Sequence, residues 1–501
     1  MNENSSHKQI LRSSAVIGGA SLLDILIGLI RVKVVAVLLG PAGVGLLGIL
    51  QNFMSTVSTV SALGVENVGT RQISEAQGRG DLSAVGIARR ALFWGTLVLS
   101  VLGALVFWLC SSYVAKYAMG SEEFSGSVSW IALGVALSVA ASYQRALLTG
   151  TRRIGDIAKI SVSSSIISTA IGLSIIYWFK ADGIILLIII GPLIGFIISQ
   201  IYVARIPHID IPSSSFMQLS VQWRTLVTLG SAFMVAGLVF LLGQLLVRTM
   251  VQQKLSPESL GYFQAAWSIS MTYIGFVLSA MGTDYYPRLT QAIHDRIKVN
   301  RLVNEQTEVA ILLAGPVLLG MLAFSPWVIQ LLYTDEFRPA VTILRWQILG
   351  DVLKIIAWPM GFVILAAGKG AIFMFKEVVV ISVFVLVVWV LLPYIHIEST
   401  GIAFFVMYIV NIPLLIIITR GITGFSWNKR VKKDIVILII IALLISALGH
   451  YSDFLGAVIG GGVTLGFSIS SLLRLSLMVD VGGPVAKLTN KICQKFLRVR
   501  G

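Results

Sequence analysis

Apolar runs recur along this chain, separated by short polar breaks or by proline and glycine. Each has the length, about 20 residues, that carries a helix across roughly 30 Å of hydrocarbon. The pattern predicts helices over roughly 13–38, 43–68, 88–111, 125–149, 158–179, 182–204, 224–251, 259–286, 304–333, 340–367, 371–394, 399–420, 434–450 and 454–478. The expectation is an all-α polytopic membrane protein with about 14 transmembrane helices. The last two segments also fit a re-entrant pair or a shorter hairpin.

Composition agrees with the pattern. Of 501 residues, 56% are hydrophobic and 12% charged, more apolar surface than one soluble core hides. Two distant cysteines, Cys110 and Cys493, and five scattered histidines suggest no disulfide framework, metal site or cofactor. The net charge of +15 is better explained by basic cytoplasmic loops than by nucleic acid. The polar start MNENSSHKQILRSS reads as a cytoplasmic tail rather than a signal peptide. With the N-terminus inside, 29 of the 38 lysines and arginines fall on the cytoplasmic side, which places both termini there. The opposite loops are short and lean acidic, as in SEE at 121–123 and TDEF at 334–337. No loop is long enough for a soluble catalytic domain, so no enzyme is expected.

Two of the breaks match. LGPAGVG at 39–45 and LSPESLG at 255–261 both read L-x-P-x-x-x-G, and an arginine follows each glycine at nearly the same distance, Arg71 and Arg288. Equal order and equal side imply a parallel repeat. The expected architecture is two pseudo-symmetric six-helix lobes, 1–210 and 211–425, around a central cavity opened by alternating access. Residues 426–501 then form two extra helices and a basic tail.

Charges inside these helices are costly and mark candidate sites. In the first helix, Asp24 and Arg31 share a face about 10 Å apart along the axis, and Lys33 points elsewhere. Gln244 and Arg248 lie one turn apart in helix 7. Arg248 precedes Pro257 by nine positions, while Arg31 and Lys33 precede Pro41 by ten and eight. The repeat thus places cations at similar depth in both halves, aimed into the cavity or snorkelling to headgroups. In helix 10, Asp351 and Lys354 are a candidate pair, structural or switchable, with Arg345 further along the axis. Pro359 gives that helix a hinge. Glu66, Arg145 and Asp284 weigh less, as interfacial or boundary residues, and snorkelling explains Lys376 and Glu377. Trp94, Trp108, Trp130, Trp178, Trp327 and Trp389 mostly sit near helix ends, as an interfacial belt does.

The stretch RVKVVAVLLGPAGVGLLGILQNFMSTVSTVSALGVENVGTRQISEA closely resembles the first two helices of Wzx-type polysaccharide flippases. These are the O-antigen and enterobacterial-common-antigen translocases of the MOP superfamily, which also holds the lipid II flippase and the MATE exporters. The resemblance implies export of an undecaprenyl-diphosphate-linked oligosaccharide across the bacterial inner membrane, for lipopolysaccharide O-antigen or similar surface polysaccharide. Arg31, Lys33 and Arg248 would then clamp the diphosphate, and the lipid tail would pass between helices 1 and 8 or 2 and 7. Implied partners are that lipid-linked glycan, the bilayer, a coupling ion (H+ or Na+) and polysaccharide polymerase machinery. Usual members have twelve helices, so helices 13 and 14 depart from the pattern. A MATE-like exporter of small molecules shares the fold and is the alternative, but its cavity should be acidic where these deep charges are mainly basic. A membrane-embedded glycosyltransferase would need larger outer loops, and a channel fits the two-lobed repeat less well.

Overall fold

A glycine and a proline divide the first helix. In α1 (Glu3–Ala62), Gly40 adopts φ 62° and ψ −171°, a conformation that favours glycine, and Pro41 opens the next turn. The expected loop is therefore a kink between two helical segments. Leu63 and Gly64, both at positive φ, end α1 earlier than hydropathy suggests, and α2 (Val65–Gly78) begins after them. Glu66 sits in the first turn of α2 instead of closing a spanning helix.

The computed structural model describes the backbone of residues 3–206 and 216–478; the side chains of 3–18 and a few later ones, Asp284 among them, lie outside the described residues. So does the expected basic tail with Cys493. The further helices are α3 (Leu82–Leu109), α4 (Ser111–Met119), α5 (Ser125–Ser129), α6 (Ile131–Gly150), α7 (Ile154–Phe179) and α8 (Ile184–Val203). Next come α9 (Phe216–Lys254), α10 (Pro257–Ala292), α11 (Arg296–Ala323), α12 (Ser325–Leu332) and α13 (Ala340–Ala366). The last are α14 (Gly370–Ile395), α15 (Glu398–Thr423), α16 (Lys429–Tyr451) and α17 (Asp453–Met478). Counting α1 as two, fourteen described segments have the length a bilayer crossing needs, the number expected. Eight described stretches are both long and apolar enough to cross a membrane, one of them holding both α7 and α8. The six belt tryptophans are all exposed. This is an all-α, multi-pass membrane protein.

The repeat extends well beyond the two turns. The step in numbering from Pro41 to Pro257 also carries the first residue of α7, Ile154, onto the first of α14, Gly370. It carries the last residue of α7, Phe179, onto the last of α14, Ile395. The C-termini of α6, at Gly150, and α13, at Ala366, are related by the same step. Their caps repeat as well. Arg153 (φ −81°, ψ 56°) opens α7 as Lys369 (φ −88°, ψ 56°) opens α14. Lys180 (φ 53°, ψ −130°) closes α7 as His396 (φ 48°, ψ −133°) closes α14. Non-glycine residues rarely accept that conformation, so its recurrence at one offset is strong evidence of a duplicated backbone.

Two compact units divide the chain: 1–264 with 332–336, and 265–331 with 337–501. In the first, Val65, Val68, Leu92, Leu147 and Leu226 belong to a buried apolar cluster at the Leu63 end of α1. In the second, Leu289, Val303, Met360, Leu415 and Phe425 belong to another. Arginines fasten α16 and α17 within this unit. Arg474 forks onto both oxygens of Asp434, at 2.9 and 2.7 Å, and also bonds Glu308 of α11, which Arg430 contacts at 2.8 Å. At the other end Asp453 accepts from Arg345 at 2.8 Å and Arg338 at 3.3 Å. The additional pair is therefore two full helices, α16 and α17, built into the second unit.

Candidate functional site

The two matching turns meet within the first unit. A Cβ on Gly261 would lie 1.9 Å from the Pro41 carbonyl oxygen. One on Gly45 would lie 2.7 Å from the Gly261 nitrogen and 2.9 Å from the Pro257 carbonyl oxygen. Each turn's glycine thus seats the other's proline, the reciprocal contact of a local twofold axis. Only glycines allow backbones this close. One turn further, Gly48 packs on Gln264, which is its own equivalent in the repeat; a Cβ there would meet the Gln264 amide at 2.5 Å.

Gln264 leads to a buried cation. Arg248 on α9 is 3% exposed. Its Nη1 donates to Gln244 Oε1 at 2.8 Å, and its Nε and Nη2 donate to Gln264 Oε1 at 3.2 and 3.0 Å. The Phe263 ring lies 5.5 Å away. These two glutamines satisfy guanidinium donors without themselves contributing negative charge. Gln264 is absent from the sequence-derived candidates; the signal that could have found it is its place opposite Gly48 in the repeat.

The other two cations of the expected clamp are placed differently. Lys33 is half-buried and donates to the Tyr333 carbonyl. Arg31 is exposed on α1. Asp24 accepts a hydrogen bond from Ser161 of α7 through one oxygen, while its other is buried without a partner among the described residues. The structure thus joins Gln244 with Arg248. The expected gap between helices 2 and 7 is also closed in this state: α9 packs along the second half of α1, where a Cβ on Gly230 would lie 1.8 Å from the Leu63 carbonyl oxygen.

A second polar site lies inside the second unit. Asp351 on α13 is 1% exposed; its Oδ2 accepts from Ser270 of α10 at 2.5 Å, and its Oδ1 is 4.0 Å from Lys354 Nζ. Lys354 also reaches Met271 Sδ at 3.6 Å and the Phe404 ring at 5.9 Å. Trp267, Phe384, Phe404 and Tyr408 form an aromatic wall beside it. Arg345 does not join Asp351; it bonds Ser325 Oγ at 3.0 Å and Asp453. Six positions along a helix turn the side chain by about 240°, away from the Asp351 face. Lys376 does not snorkel either: it is buried, paired with Glu377 and 4.9 Å from the Phe373 ring. Glu66 and Arg145 form an ion pair at 2.8 Å, half-exposed. No metal-holding cluster of acidic, histidine or cysteine side chains occurs among the described residues.

A family model described as "Polysaccharide biosynthesis protein" matches residues 34–342. The lipid III flippase of Escherichia coli (strain K12) is 22% identical over 382 residues, covering 74% of this chain and 88% of that protein. Its Shigella flexneri counterpart matches equally. Among solved structures, the lipid II flippase MurJ in an inward closed conformation aligns with a TM-score of 0.71 at 14% identity, over 93% of this chain and 100% of that one. An inward-facing multidrug resistance MATE family transporter of the MOP superfamily aligns at 0.63 with 16% identity, over 82% and 99%. At such identities these structures establish the shared fold.

Proposed function

We propose that this chain, which belongs to the polysaccharide biosynthesis protein family, moves a lipid-linked oligosaccharide across the membrane it spans. The substrate we infer is an undecaprenyl-diphosphate-linked repeat unit, taken from the cytoplasmic to the periplasmic face of the bacterial inner membrane, with both termini cytoplasmic. The relatives named as lipid III and lipid II flippases support this class of cargo. The protein moves its cargo and leaves its bonds intact.

The observation that carries the reading is Arg248. Its guanidinium is buried, held in place by two neutral amides, beside the contact between the repeated turns. A diphosphate leaving water needs fixed positive charge, and Arg248 is preorganised to supply it. Arg31, exposed on α1, completes the clamp when the lobes 1–210 and 211–425 rearrange. Lys33 joins after releasing the Tyr333 carbonyl. The closed turns at Pro41 and Pro257 then act as the periplasmic gate, while the lipid tail stays in the bilayer. With no nucleotide-binding P-loop motif in the sequence, the driving force we infer is an ion gradient, the membrane potential or consumption of the product by polymerase machinery.

The test is a deletion strain complemented with variants, scoring surface polysaccharide, accumulated lipid-linked intermediate and protein level. Arg248→Gln and Arg248→Glu at normal protein level should abolish export and accumulate the intermediate, while Arg248→Lys should retain partial export. Normal export by Arg248→Glu would remove the clamp from the mechanism.

A further inference from the structure

We propose that Trp358, with Phe362 and Tyr286 beside it, is a sugar-stacking subsite of the second unit, which grips a pyranose ring of the cargo through its C–H face. The inference rests on the lipid-linked oligosaccharide reading and gives the glycan a contact of its own, separate from the Arg248 charge.

The first support is geometry. Gln347, Asp351 and Lys354 form a polar stripe at i, i+4 and i+7 of α13, and Trp358 continues it one turn further. Aromatic rings gather there. The Trp358 and Phe362 centroids stand 4.7 Å apart, edge to face, and Tyr285 of α10 lies 5.9 Å from each. Tyr286 follows, 5.7 Å from Phe362. Tyr285 is buried, and its hydroxyl donates to the Pro359 carbonyl at 3.0 Å, which fixes the cluster against α13. Trp358 and Phe362 are half-buried and Tyr286 is 39% exposed, so the cluster presents an open, preorganised surface. Gly282 lets the rings lie against α10: a Cβ there would stand 3.2 Å from Trp358 and 3.6 Å from Phe362. Gly361 has nothing within 4 Å of an added Cβ, which leaves space next to the indole.

The second support is the repeat. The step that relates Pro257 to Pro41 takes Trp358, Phe362 and Tyr286 back to Ser142, Ala146 and Thr70. Ser142 and Ala146 are buried, so the same backbone packs with small residues and needs no rings. Gly282 and Gly361 go back to Glu66 and Arg145, the half-exposed ion pair of the first unit. Charges at those positions in one copy, and Lys354 on the same face of α13 in the other, mark a surface that meets water and not lipid. The aromatic cluster is therefore an addition to a water-facing surface of the second unit.

The third support is chemistry. Trp358 lies eight residues before the end of α13, about 12 Å along the axis, deeper than a headgroup anchor. A pyranose turns a face of polarised C–H bonds to one side and its hydroxyls to the rim. The negative face of an aromatic ring attracts the first. The rim needs hydrogen bonds, and this cluster carries a donor at one end and a phenol at the other: the Lys354 ammonium, whose side chain is 19% exposed, and the Tyr286 hydroxyl. A polyisoprenyl tail laid across the same rings would desolvate the ammonium without bonding it. The combination of ring face and flanking polar groups therefore selects sugar over lipid.

The experiment measures binding of two probes to the full chain in lipid nanodiscs by native mass spectrometry. One probe is the lipid-linked intermediate extracted from the deletion strain, and the other is bare undecaprenyl diphosphate. Trp358→Leu, which keeps apolar bulk, should weaken the glycan-bearing probe by about 3–10-fold and leave the bare one unchanged. Trp358→Tyr should recover most of the affinity, because a ring face remains, and Trp389→Leu in the belt should alter neither probe. Arg248→Gln should weaken both alike. Melting temperatures confirm that each variant is folded; if Trp358→Leu is not, Phe362→Leu takes its place with the same expected pattern. Unchanged affinity for the glycan-bearing probe, or equal weakening of both probes, overturns the subsite and leaves the cargo assignment standing. A wild type that binds neither probe overturns the cargo assignment, and the subsite with it.

Discussion

α6 and α13 end at equivalent points of the repeat yet bury opposite chemistry. α6 turns Ile131 and Val135 inward, both fully buried, whereas α13 turns in Gln347 and Asp351. Tight glycine packing is common to both: Gly134 of α6 meets Met54, and Gly350 of α13 meets Phe404, each at a distance a Cβ would violate. The scaffold is thus specified by small residues and apolar volume, and the polar stripe is present in one copy only. A duplicated fold supplies its own control for which residues are structural.

The most damaging test is Val135→Asp. It places an unpaired charge in the apolar copy, at a cost of at least about 2.5–3.5 kcal/mol, and should remove folded protein from the membrane, read as protein level and monodispersity in detergent. The reverse transplant, Gln347→Ile with Asp351→Val and Lys354→Ser, should keep normal protein level and melting temperature while losing export. If that variant fails to fold, the stripe is structural and the comparison collapses. Gly261→Ala, which drives a Cβ against the Pro41 carbonyl, should lower thermal stability by about 1–3 kcal/mol, more than Gly48→Ala, whose neighbour is a movable glutamine side chain. Gly48→Ala should instead reduce export by displacing Gln264 from Arg248. Gly28→Ala, with nothing within 4 Å of the added carbon, should stay within about 0.5 kcal/mol of wild type.

Much of the fold was legible, because apolar run length and the two L-x-P-x-x-x-G breaks both report constraints imposed by lipid and by duplication. Helix ends were less so. α9 and α10 run past their predicted limits, since hydropathy sees only the apolar part of a helix. For the candidate sites, charges in apolar runs marked Arg248, Asp351 and Lys354, which the structure places in buried or half-buried polar settings, and the one-turn spacing joined Gln244 to Arg248. Ser270, Gln264 and Gln347 carried no mark, being uncharged polar residues whose relevance depends on partners far away in sequence or on burial alone. Axial distance says nothing of rotation about the helix, which carries Arg345 to Ser325 and Asp453 and off the Asp351 face. Lys376 was misassigned because closeness to a helix end does not reveal what packs over it.

The arginine fastenings of the second unit have a consequence for how the protein is made. Arg345 leaves the ribosome 108 residues before Asp453, its carboxylate partner. Glu308 precedes Arg474 by 166. While the chain is threaded into the membrane, both groups wait for the last hairpin, α16 and α17, to arrive. Without that hairpin, the Arg345 guanidinium and the Glu308 carboxylate lack these partners among apolar helices. Truncation before α16 should therefore lower the amount of folded protein in the membrane, which protein level measures.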